Sequence, residues 1–443
     1  MDQAPEPPED DEPNRPEGPF GGGADAMATI FGQLGAMMRS QEPWEAAAQM
    51  AAGIANEGHS EANLDPADRM SLESLARVAE LRVADHTSRG LREPVRIDAM
   101  NRTQWARRFL DDQRPLLEGL AGSLGQGLAA QLGELDGLDD ADASELAGIP
   151  GLGAIPPAMI RQLASMMGPM MLSMMAGSTA GHLAARAFGH YELPLPRPVA
   201  KPLTVVLSNV DAFAADWSIP VDDIRMWVCL SDVAHHQVLT LPHVRDTLTD
   251  LIGEYTRAFS VDPEEIERQG RELGIDEAFG ELGADMGALQ ELAGNPDRLL
   301  GVMQSEHQRA IMPRIHAVVA VVEGWVDNVL DEVGGALLAD YAMVTEALRR
   351  RRVEAGPEAR FVERLFGLEL SQATFDSGAG FVRGVLDRGG PEALDALWSD
   401  ASHLPTPNEL EAPGLWMARV GIEADDLDID ADMEIPDSID FDD

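Results

Sequence analysis

Arg225-Met226-Trp227-Val228-Cys229-Leu230-Ser231-Asp232-Val233-Ala234-His235-His236 is the run on which the reading of this chain turns. Its spacing of apolar residues predicts a helix, and Asp222-Asp223 stand just ahead of it, where the positive end of a helix favours acids. Residues four apart in a helix stack on one face, so Ser231 and His235 point the same way, with Asp232 about 100° round from Ser231. The helix is predicted to continue past Val238 and to break near Leu241-Pro242, with a second helix from His243 to Phe259. Downstream, the apolar run Ile315 to Asp327 reads as another helix, and it carries Glu323 and Asp327 one turn apart.

The Ser231-Asp232-Val233-Ala234-His235 segment resembles the HExxH helix of zincin peptidases, where two histidines one turn apart hold zinc and the glutamate beside the first is the general base. Further phrases agree with it: Gly189-His190-Tyr191 before Leu193-Pro194-Leu195-Pro196, Trp227-Val228, Pro242-His243-Val244-Arg245, Glu323-Gly324, Arg351-Arg352, Gly380-Phe381-Val382, Trp398 and Leu404-Pro405-Thr406. Over about residues 27 to 420 the chain resembles the zincin-like metallopeptidase family of high-GC bacteria, with a degenerate HExxH motif. The resemblance implies a mainly α fold, a zincin-like helical core with at most a small β-sheet near the motif helix. It also implies zinc as cofactor, a peptide or protein as substrate or partner, and metal-ligand positions at His235 and Glu323. Asp232 falls at the position of the general base, and Asp327 at that of a carboxylate that orients a histidine ligand. His235 and Glu323 are therefore expected within a few ångströms of each other.

Ser231 occupies the first-ligand position, and a serine hydroxyl does not replace a neutral imidazole on zinc. Asp232 is a methylene shorter than glutamate. A base set back by about 1 Å can cost on the order of 10²-fold in rate. A rebuilt site could draw on Asp232 or His243. His236 points about 100° away from His235, and His316 lies about 10 Å along its helix from Glu323. Two readings stay open. One is a catalytically impaired or inactive scaffold or binding protein in which His235, Glu323 and Asp327 form a buried polar cluster; the other is an active zinc-dependent metallopeptidase with a rebuilt metal site.

Composition narrows the partners. The 443 residues carry a formal net charge of -44, from 33 Lys and Arg against 77 Asp and Glu, and Lys201 is the only lysine. Nucleic-acid binding needs clustered cations to neutralise phosphates, so it is excluded as an expectation. Cys229, the single cysteine, rules out an intrachain disulfide or a CxxC site and reads as a small buried hydrophobe. The acidic, proline-rich start does not look like a secretory signal, which points to a cytoplasmic location.

Three segments are expected: residues 1–26, disordered and rich in acid and proline; 27–420, the zincin-like domain; and 421–443, a disordered acidic tail. Helices are expected at Met27–Met38, Trp44–Asn56 and Ser71–His86, the last entered through Asp65-Pro66, and two more between Asn101 and Leu132. The methionine-rich stretch Ile149–Phe188 reads as a buried core helix rather than a membrane span, because Arg161, Pro169, Ser173, Ser178 and Thr179 interrupt it. Gly177 and Gly181 within it would allow close helix packing. Tyr191–Pro198 reads as an extended connector, and Leu203–Val210 either as a strand whose edge could pair with an extended peptide or as an ordinary buried strand or helix end. A lightly packed helical region is expected over Pro263–Asn295, the Glu323 helix from Pro313 to about Val333, and further helices over Phe361–Trp398. Arg349–Arg352 reads as a solvated basic face near a helix end, with a substrate or partner contact as the alternative.

Overall fold

The computed structural model describes residues 43–61, 63–90, 94–123, 157–199, 202–259, 304–353 and 356–422. The expected helix at Met27–Met38, the Pro263–Asn295 region and both termini beyond these limits lie outside the described residues. Helices dominate: α1 Pro43–Ala55, α2 Pro66–Thr87, α3 Arg102–Asp112, α4 Pro157–Arg186, α5 Leu207–Asp216, α6 Val221–Leu239, α7 Pro242–Arg257, α8 Glu306–Leu337, α9 Tyr341–Val353, α10 Pro357–Leu365, α11 Gln372–Ala396, α12 Pro407–Glu411 and α13 Pro413–Val420. Residues 114–123 are also helical. No helix among the described residues is long and apolar enough to cross a membrane.

Local chemistry sets the helix starts. Asp65 accepts the Ala67 N–H at 2.8 Å and Pro66 fixes the first turn of α2, five residues before the expected start. Asn101 and Gln104 form a capping box on α3. The Glu323 helix, α8, begins at Glu306 rather than Pro313, because Ser305 and Gln308 form a capping box there; Pro313 lies inside the helix on its exposed side.

The sheet is smaller than the sequence suggests. β1 (Ile97–Met100) and β2 (Leu203–Val206) pair in parallel, Ile97 opposite Leu203 and Met100 opposite Val206. The expected strand stops at Val206 because Leu207 opens α5. A short apolar run buried on all sides does not by itself separate strand from helix. Asn209, in that first turn, donates from Nδ2 to the carbonyls of Ala184 and Ala187, closing the end of α4.

The motif helix α6 is the hub. It packs against α2, α5, α7 and α8, and is buried on nearly every side, as a helix apolar all round must be. Cys229 lies on it, fully buried and free, with burial pushing its thiol pKa upward. A Cβ on Gly324 of α8 would stand 2.2 Å from the backbone of Gly378 in α11, and one on Gly378 would stand 1.8 Å from the Ala320 carbonyl oxygen. Only glycine permits this crossing, which holds α8 against α11 one residue from Glu323. Likewise α4 meets α1 through Gly177 and Gly181, where a Cβ would lie 2.8 Å from the Ala47 oxygen and 2.7 Å from the Ile54 Cβ.

Candidate functional site

The helices α6 and α8 bring His235 and Glu323 together across 88 positions of sequence, with Nε2 of His235 3.2 Å from Oε1 of Glu323. Both side chains are nearly enclosed, at 5% and 7% exposure. Nδ1 of His235 lies 2.9 Å from the carbonyl oxygen of Ser231 and 3.4 Å from its hydroxyl. The Tyr191 ring stacks on the imidazole, centroids 5.7 Å apart. Burial opposes a charged imidazolium, but the facing Glu323 carboxylate outweighs it and the His235 pKa rises. Glu323 responds in kind: burial pushes it up, His235 pulls harder, and the net shift is downward.

Asp232 shares the cavity with the His235–Glu323 pair but is held by backbone donors. Its Oδ2 accepts the backbone N–H of His190 at 2.7 Å and its Oδ1 that of Tyr191 at 3.1 Å. Its carboxylate fills the place where a side chain on Gly189 would begin, since a Cβ there would lie 2.5 Å from both oxygens. Burial pushes its pKa up to about 6, although the two N–H donors favour the ionised form. The 189–197 segment, read from the sequence as an extended connector, is thus fastened over the site. Trp105 Nε1 donates to the Gly189 carbonyl at 2.9 Å, His190 reaches Thr204 on β2 at 3.3 Å, and the Arg197 guanidinium lies 3.7 Å from Asp112 beneath it.

Asp327 sits one turn beyond Glu323 and pairs with Arg352, at 3.2 and 3.3 Å, rather than with a histidine. The other imidazoles stand elsewhere. His236 takes a hydrogen bond with the Tyr191 hydroxyl at 3.0 Å, and burial lowers its pKa to about 4. The charged neighbours of His243 are Asp400, Arg89, Asp246 and His403, not Glu323. His316 keeps a buried Nε2 with no hydrogen-bond partner among the described residues. Among these residues, no three His, Cys, Asp or Glu side chains gather as a metal-binding group.

A cavity of about 100 Å³ opens between these elements, bounded by His235, Glu323, Ser231, Asp232, Tyr191 and Trp227. Arg186, Glu192, Arg351 and Arg352 line the same cavity, and here the solvated basic face expected at 349–352 is corrected. Arg351 donates to the Arg186 carbonyl at 2.6 Å and to Oε1 of Glu192 at 2.8 Å, and its guanidinium lies 3.8 Å from the centre of the Phe188 ring. Arg352 covers Phe375 at 4.2 Å. Two of four consecutive arginines on the short helix α9 turn inward because the buried Glu192 side chain, the half-buried Asp327 and two aromatic faces await them, a signal absent from the arginine run itself.

The family model for zincin-like metallopeptidases matches residues 43–417. The chain belongs to the zincin-like metallopeptidase family. A crystal structure described as "a putative hydrolase with a novel fold from Chloroflexus aurantiacus" superposes with a TM-score of 0.55 over 86% of this chain and 99% of that one, at 20% identity. At that identity it speaks for the fold alone. No curated protein matches the sequence. Members of the family are typically zinc-dependent, so the donor set at α6 and α8 is the point to test. A catalytic zinc takes three protein ligands and keeps one position for water. Here His235 and Glu323 offer two, Ser231 stands one turn before His235 with only a hydroxyl, and Asp232 spends both oxygens on backbone N–H groups. This donor set does not fit a catalytic zinc.

Proposed function

We propose that this chain is a zincin-like scaffold with an eroded metal site, catalytically impaired or inactive, that binds a peptide or protein partner at the cavity beside α6. The observation that carries the reading is Asp232. A general base must be free to take a proton from water, whereas this carboxylate is enclosed and bonded to the N–H groups of His190 and Tyr191. His235 and Glu323 satisfy each other as buried polar groups do, which gives them a structural use without a metal. The alternative, an active zinc-dependent peptidase with a rebuilt site, would need a third ligand that Asp232, His236, His243 and His316 do not bring to Glu323.

Metal analysis of protein purified without chelator tests this directly. Substoichiometric zinc and no peptidase activity on addition of zinc are expected; one tightly held zinc per chain overturns the reading. Ser231→His should install the missing imidazole one turn before His235 and tighten zinc binding by at least about 100-fold, the scale on which ligand-shell changes act. Competition with a chromophoric chelator measures it. Asp232→Glu is left out of this repair because the space beside Gly189 is already filled by the shorter carboxylate.

A further inference from the structure

We propose that the arginine wall of the cavity, Arg186 and Arg351 with Glu192 between them, binds the terminal carboxylate of a peptide. The inference rests on the reading above, that this cavity receives a peptide and is not a zinc centre.

The charges around the cavity are paired unevenly from group to group, with Asp232 a carboxylate held by neutral N–H groups. His235 is matched by Glu323, and Arg352 by Asp327. Arg186 and Arg351 share a single oxygen, Oε1 of Glu192, at 3.4 and 2.8 Å, while Oε2 of Glu192 accepts the Phe188 N–H at 3.0 Å. At Glu192, two guanidinium groups thus meet one carboxylate oxygen. The other acid at this wall, Glu363, is held up to about 7 by burial despite Arg186, so near neutral pH it withholds much of its charge.

Donors are in excess. Each guanidinium carries five N–H groups in a rigid fork. Arg351 spends Nη2 on the Arg186 carbonyl and Glu192, and Arg186 meets Glu192 through Nε. None of the other nitrogens of these two residues is a buried atom lacking a partner, so they remain accessible, and both residues line the cavity. Arg351 is also preset: the Phe188 face holds its plane at 3.8 Å and little side-chain entropy is left to lose on binding. The parallel pair lies on Arg186, whose Nη1 and Nη2 are both unspent and match a carboxylate bidentately, while Arg351 keeps Nε and Nη1 for single hydrogen bonds.

Size selects which carboxylate. An engineered apolar cavity of about 150 Å³ holds one benzene, so the 100 Å³ here takes the end of a chain and not its length. Leu183, Leu370 and Phe375 complete the lining and suit a small apolar last side chain.

Calorimetric titration of the full chain in the presence of 1,10-phenanthroline, a chelator without carboxylates, with N-acetylalanine, N-acetylalaninamide and inorganic phosphate as separate probes, decides it. The acid should bind at least about tenfold more tightly than the amide, as a lost charge-assisted hydrogen-bond pair implies. Arg186→Gln should reduce that preference by a similar factor; if this variant does not fold, the comparison of probes on the natural chain stands by itself. Equal binding of acid and amide, binding of neither, or tighter binding of phosphate overturns the assignment. The chelator keeps this failure separate from that of the scaffold reading. Zinc found in the purified protein breaks the latter and leaves the titration with 1,10-phenanthroline unaffected, whereas loss of acid preference in zinc-free protein breaks only the carboxylate site.

Discussion

The two walls of the cavity treat buried charge differently. On the α6–α8 wall the count is one to one: His235 Nε2 meets Glu323, and both oxygens of Asp232 meet backbone donors. On the α4–α9 wall two guanidinium groups share one oxygen of Glu192. A cluster that satisfies itself mainly holds structure, while one with spare donors can hold a ligand. The residues that resemble the family's catalytic signature thus lie on the closed wall, and the spare donors on the open one.

The strongest way to break this contrast is Asp232→Ala. It leaves the His190 and Tyr191 N–H groups buried without acceptors, at about 1–3 kcal/mol each. A loss of roughly 2–5 kcal/mol is expected from denaturant midpoints, with Asp232→Asn recovering part of it by keeping one oxygen acceptor. A loss near zero would mean that the 189–197 segment does not depend on the motif helix.

Glu192→Gln sharpens the contrast on the other wall. Removing one partner of a buried ion cluster costs roughly 3–5 kcal/mol, and the partial exposure of Arg186 and Arg351 places this case at or below the lower end. The same change removes the anion that competes with a bound carboxylate, so affinity for N-acetylalanine should rise while stability falls. Glu323→Gln, on the closed wall, should lower stability without that gain. Parallel changes in both variants would erase the distinction between the walls.

The smallest effect is one of pH. Burial lifts Glu363 from its ordinary 4.5 to about 7. A group whose pKa is raised by folding lends stability that is full below its unfolded value and is lost as the pH rises through the folded one. Between pH 5 and 8 the natural chain should therefore lose melting temperature relative to Glu363→Gln, which carries no charge to bury. A constant difference between the two melting curves would show that Glu363 ionises freely.

Much of this molecule could be read in one dimension because its causes are local. Helical periodicity, the Asp65-Pro66 start of α2 and the glycines at 177 and 181 are set by neighbours within a turn or two, and the structure bears them out. The proximity of His235 and Glu323 was also foreseeable, from the pattern of two helices and the family they resemble. The limits of local reading show at Pro313, where the Ser305 and Gln308 capping box carried the helix start upstream, and at Leu207, where an apolar run changed from strand to helix.

Which way a polar side chain faces was decided only by the fold. Asp232 reads as a base from its place in the motif, yet three-dimensional packing delivers two backbone N–H groups to it from residues 190 and 191, and a buried carboxylate goes where its donors are. Arg351 and Arg352 read as solvated from their run of charge, yet Glu192, Asp327, Phe188 and Phe375 draw them inward from four separate places in the chain. Sequence determined the helices and the family because backbone hydrogen bonding and apolar periodicity are short-ranged. The partners of buried charges come from segments distant along the chain, and only the folded arrangement brings them together.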